Sequence, residues 1–80
     1  MMIDTVVLTE WARCEVAQLI TDIERASTLV FVEKAGARAE GFVLGLETAG
    51  ALRMGDAERL YMFFDAIVEE RLKTLTVGDI

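Results

Sequence analysis

Glu33, Glu40 and Glu47 stand seven residues apart, and seven residues return an α-helix to nearly the same azimuth. On a helix they form an acidic ridge that rises ~10 Å per step. Asp65, Glu69 and Glu58 thicken that ridge if their segment folds back antiparallel through the short Gly50 to Gly55 connection. Rows of carboxylates with steps of roughly 7–10 Å approximate the spacing of phosphates, so the ridge fits a Lys/Arg groove that normally holds nucleic acid. The plainer reading of the same residues is the wet face of an amphipathic helix, offset by Lys34, Arg38 and Arg53. The partner-binding set read from the sequence is therefore Glu33, Glu40, Glu47, Asp65 and Glu69, with Trp11 and Tyr61 either the aromatic anchors of an apolar contact or members of the core.

Other chemistry finds little support. The chain has no His and one Cys, so it lacks the usual ligands of a zinc site and the Glu-x-x-His pair of ferritin-like bundles. No calcium loop of alternating Asp and Asn is present. Asp65 and Glu69, one helical turn apart, have the residue types for general acid/base work, but carboxylates at this spacing on a helix read as a solvated face. Cys14 has no His to activate it and reads as a small buried or half-buried side chain. No glycine has the spacing of a dinucleotide fingerprint, and no P-loop lysine follows one. Neither an enzyme nor a bound cofactor or metal is expected. Gly41 and Gly45 have the small-xxx-small spacing that lets two helix backbones approach. They form either a dimer seam or room for a bulky neighbour within the chain, Trp11 or Phe64.

These residues need long helices to carry them, and the absence of Pro leaves room for few, long elements. Ala12, Val16, Leu19, Ile23 and Ala26 alternate in steps of four and three, which predicts a first helix from Glu10 to Ala26 capped by Thr9. Ser27-Thr28 reads as a break and a new cap. Beyond it Val32, Ala35, Ala39, Phe42, Leu46 and Ala49 continue the three-four spacing. The competing reading is a β-hairpin over about 29–46, with Leu29 to Val32 and Phe42 to Leu44 as strands. The helix is preferred because six positions match it and the Ala content favours it, although Gly36, Gly41 and Gly45 each weaken it by roughly 1 kcal/mol. Gly50 reads as the left-handed residue that ends this helix, with Leu52 tucked back on the core. Gly55 or Asp56 then caps a third helix, whose stripe of Leu60, Phe64, Ile67, Val68, Leu72 and Leu75 ends near Leu75. Ile3, Val6, Val7 and Leu8 are too apolar for a free tail and predict an extended arm packed on the bundle.

The fold class expected is thus all-α: one compact three-helix domain over residues 1–80 with a short extended N-terminal arm. A chain of 80 residues withdraws only about 60% of its surface on folding. Its 54% hydrophobic content therefore predicts apolar surface left over for a second subunit or a partner. Fourteen acidic against eight basic residues, net −6, argue against direct binding of nucleic acid and for a protein partner with a basic surface. The sequence shows no signal peptide and no apolar run near the ~20 residues of a membrane span, so the expected location is the cytoplasm.

The stretch Gly41-Phe42-Val43-Leu44-Gly45-Leu46-Glu47-Thr48-Ala49-Gly50-Ala51-Leu52, followed by Asp56-Ala57-Glu58-Arg59-Leu60, resembles the helical hairpins of small orphan proteins encoded on bacterial mobile elements. Some of these are type I anti-CRISPR proteins. The resemblance covers about the last half of the chain, rests on size, acidity and the hairpin pattern, and carries over no contact residue. It implies an inhibitor that binds a CRISPR-Cas surveillance complex or its nuclease-helicase, either blocking the DNA path or clamping subunits. The alternative function is a homo-oligomeric structural or regulatory module whose exposed apolar surface is its own dimer seam.

Overall fold

A computed structural model describes residues 6–78, which form three helices: α1 (Glu10–Arg25), α2 (Leu29–Thr48) and α3 (Asp56–Gly78). The first two begin where hydroxyl caps stand. Thr9 Oγ1 accepts from the Ala12 backbone N–H at 3.2 Å, and Thr28 Oγ1 accepts from that of Phe31 at 3.1 Å. Each satisfies one of the orphan donors of a helix N-terminus, an arrangement worth roughly 1 kcal/mol. Glu10 adds a carboxylate in the first turn of α1, where the helix dipole favours it. Ala26 is the C-cap of α1, so that helix stops one residue short of the expected end, whereas α3 continues three residues past Leu75. Helix ends fray and shift by such amounts because no single residue defines them.

Residues 29–46 are helical throughout, and the hairpin is excluded. The connection that follows is closed by backbone bonds. Gly50 has φ +72°; its N–H donates to the Glu47 carbonyl at 3.0 Å, and the Ala51 N–H donates to that of Leu46 at 2.9 Å. This is a Schellman motif, which needs a left-handed residue, and Leu52 packs against the core behind it as expected. Gly55, at φ +86°, is the second left-handed residue and feeds directly into α3.

The short link makes α2 and α3 antiparallel neighbours, and the same logic across Ala26 to Thr28 pairs α1 with α2. A side-chain tie fixes the third contact: Arg71 Nε on α3 donates to the carbonyl of Ala26 at 3.1 Å. The core is built from Val16, Leu19 and Ile23 of α1, Val32, Ala35, Ala39 and Val43 of α2, and Leu60 and Phe64 of α3. Of the N-terminal arm, Val6 is fully buried and Leu8 half-buried against this core, whereas Val7 is exposed because the intervening residue of an extended segment faces away; Ile3 lies outside the described residues.

The buried stripe of α2 differs from the periodic reading in one respect. Val43 is fully buried, Phe42 and Leu46 are half-buried, and Ala49 is exposed at the C-cap. Two neighbours rather than one explain it. A helix packed against both α1 and α3 buries a wide stripe, and its centre falls on Val32, Ala39 and Val43. Gly36 is buried where α3 crosses: a Cβ there would lie 3.0 Å from Val68 Cγ2. The missing side chain lets the two helices approach closely.

Candidate partner-binding surface

The α2–α3 pairing brings part of the acidic ridge together. Glu33 and Glu40 from α2 and Asp65 from α3 line one open groove of about 210 Å³, floored by Gly36, Ala37, Phe64 and Val68. The floor is apolar and the rim is anionic. Glu47 stands farther along the same flank of α2, and Glu69 is exposed one turn beyond Asp65 without lining the groove. Tyr61, the one tyrosine, registers the local field. Partial burial pushes its phenol above the ordinary 10.0, and the negative charges of Glu47 and Glu40 push it further.

Of the cations that the sequence offered as counter-ions, Arg38 and Arg53 pair with other carboxylates. Arg38 lies 3.8 Å from Asp22 of α1. Arg53 Nε donates to Asp56 Oδ2 at 3.0 Å, and Arg59 Nη1 donates to Asp56 Oδ1 at 3.0 Å. Lys34 points to the opposite flank of α2. There it lines a second open groove of about 410 Å³ with Arg25, Arg38, Phe31, Asp22 and Gln18. The two sides of α2 thus carry opposite charge: acid toward α3, base toward α1.

Asp56 is the first residue of α3, so the residue that precedes the helix is Gly55, whose carbonyl accepts from the Arg59 N–H at 3.2 Å. The Asp56 side chain is fully buried at the start of α3 with an arginine on each side, three residues before and three after. The Arg53 hydrogen bond holds its carboxyl below the ordinary 3.8 despite the opposing effect of burial, and Arg59 helps. Among the described residues no buried side-chain nitrogen or oxygen lacks a hydrogen bond. The cluster therefore locks the turn before α3, and so the position of Tyr61 and Asp65 relative to α2.

Several apolar side chains face solvent. Trp11 is 66% exposed, its ring tilted by 53° to that of Phe42 at a centroid distance of 5.8 Å, so its place is on the surface and not in the core. Gly41 and Gly45 are exposed too, and a Cβ at either would meet nothing within 4 Å. They make room for neither Trp11 nor Phe64, which overturns that reading and leaves an open helix face. Cys14 is also exposed rather than buried. On α1 it falls outside the Ala12, Val16, Leu19 and Ile23 stripe, so no core position was available to it. A third hollow of about 430 Å³ between α1 and α3 is walled by Phe63, Ile67 and Arg71.

Among the described residues no three His, Cys, Asp or Glu side chains converge to hold a metal ion, and no helix is long and apolar enough to cross a membrane. The molecule is an all-α, three-helix domain with one strongly anionic flank. The chain matches no protein-family model, and no curated protein or solved structure matches it.

Proposed function

We propose that this chain is a small acidic protein-binding inhibitor, which seats its α2–α3 flank on a Lys/Arg-lined surface of a protein partner. The observation that carries the reading is the convergence of Asp65 with Glu33 and Glu40 round one apolar-floored groove, with Tyr61 beside Glu40 and Glu47. A ridge that was only a solvated face would gain nothing from a second helix contributing another carboxylate to the same rim. It would also be offset by neighbouring cations, whereas Arg38 pairs with Asp22 and Arg53 and Arg59 with Asp56. Surfaces that hold nucleic acid are the commonest strongly basic grooves, so the partner class is a nucleic-acid-handling complex whose DNA path the ridge would block. A type I CRISPR-Cas surveillance complex or its nuclease-helicase is the specific candidate, through the resemblance to anti-CRISPR proteins; such a protein works in the cytoplasm.

The test is a titration against a purified type I surveillance complex, with and without target DNA, at low and moderate salt. Wild type should bind, compete with DNA and weaken with salt, since exposed charges are screened beyond about 8 Å at physiological ionic strength. Reversing Glu33, Glu40 and Glu47 together to Lys should abolish binding and leave the circular dichroism unchanged, because exposed helix positions accept Lys as readily as Glu. Undiminished binding by the triple variant would reduce the ridge to a solvated face. No binding by wild type would dispose of that complex as the target.

A further inference from the structure

The structure assigns the outward face of α2 to a second copy of this chain, seated parallel to the first and sharing Ala37 and Glu33 with the edge of the α2–α3 groove. Val30, Ala37 and Leu44 recur every seven residues along this face, and Val30 and Leu44 are 59% and 56% exposed. Gly41 lies between the last two with open space where its Cβ would be, so a partner backbone can approach closely. An exposed stripe of this kind has no orientation of its own. The flanks supply it.

Glu33, Glu40 and Glu47 run along the α3 side of the stripe, while Lys34 and Arg38 run along the α1 side and line the groove there. Two helices related by a two-fold axis parallel to them present opposite flanks to each other, so acid meets base. A two-fold axis perpendicular to the helices brings like flanks together, so acid meets acid. Parallel pairing is thus the complementary arrangement. In its register the flanking residue of one helix faces the residue five positions on in the other, as with the outer positions of parallel coiled coils. Glu33 then meets Arg38 of the second copy, twice by symmetry, and stands beside its Lys34 as well. In the same register Glu40 faces Gly45 and Glu47 faces Leu52 of the second copy, so of the acidic set only Glu33 gains a cation from the pairing.

Sedimentation of the purified chain at micromolar concentration and physiological ionic strength should show a dimer. Glu33→Arg and Arg38→Glu should each weaken the dissociation constant roughly ten-fold, and the double variant should restore it, since two exposed ion pairs are swapped in direction and kept in number. Orientation is read by Thr48→Cys in a Cys14→Ser background. Parallel helices bring the two introduced thiols together and mild oxidation should cross-link them, whereas in an antiparallel pair centred on Ala37 each lies roughly 33 Å from its mate. Circular dichroism on every variant separates lost pairing from lost folding. A monomer at high micromolar concentration would overturn the proposal. A dimer indifferent to the charge swap, or one that fails to cross-link, would overturn the parallel register. None of these results depends on the partner titration.

Discussion

The three glycines of α2 make a prediction that separates packing from propensity. Inside a helix, Gly costs about 1 kcal/mol relative to Ala because its backbone loses more freedom on folding. At Gly41 and Gly45 an added methyl group meets nothing within 4 Å, so Gly41→Ala and Gly45→Ala should each gain most of that amount. For a domain of this size, 1 kcal/mol corresponds to a rise in Tm of about 4–8 °C. The two sites should add, because neither methyl touches a neighbour that the other shares. At Gly36 the added Cβ would sit 3.0 Å from Val68 Cγ2, a distance at which something must give. The propensity gain is then spent on displacing Val68, and Gly36→Ala should be neutral or destabilising. Val68→Ala removes the obstructing methyl, so in that background Gly36→Ala should recover the full gain of about 1 kcal/mol. The assay is a urea and thermal denaturation series followed by circular dichroism. It should be run dilute enough that sedimentation shows monomer, so that self-association does not enter. Equal gains at all three positions would refute the close approach of α3 to Gly36. Losses at Gly41 and Gly45 in the monomer would refute the open helix face.

Two pH predictions follow from the ionisable groups. Tyr61 is the one tyrosine, so tyrosinate absorbance reports it directly; it should titrate above 10.0, and Glu47→Gln and Glu40→Gln should each lower that value, the first by more, without restoring 10.0 because burial is the larger cause. A raised pKa in the folded state stabilises the fold at pH below the unfolded value, and this contribution is lost as pH rises through the raised one; an unchanged titration in both variants would contradict the placement of Tyr61 beside the ridge. Asp56 has the opposite sign: its depressed pKa contributes stability above about pH 4 that disappears as pH falls through the lowered value, so the stability difference between wild type and Asp56→Asn should shrink below pH 4. A difference constant from pH 6 to pH 2 would show that the carboxylate is not held as an anion by Arg53 and Arg59.

What the sequence determined by itself is what depends on near neighbours in the chain. Thr9 and Thr28 act on N–H groups three residues away, and Gly50 closes its own turn, so the helix starts and the α2 stop were legible. The azimuth of Glu33, Glu40 and Glu47 follows from helix geometry alone. The arginine pair on Asp56 was equally local, since Arg53-x-x-Asp56-x-x-Arg59 is a visible pattern. The pattern alone does not reveal the pair, because a carboxylate at a helix start already has a sufficient reason in the dipole, and burial is not written in spacing. The tertiary structure decided the rest. Which of three similar glycines lies under another helix depends on where α3 crosses, and only Gly36 meets Val68. Whether Lys34 and Arg38 neutralise the acidic ridge depends on which neighbour each flank of α2 faces. Arg38 reaches Asp22 on α1, Lys34 lines the groove on that same side, and Glu33 and Glu40 meet Asp65 on α3. Periodicity defines a stripe on one helix, but two neighbours divide that helix into four sides, and the charge of each side becomes a property of the molecule only when both are in place.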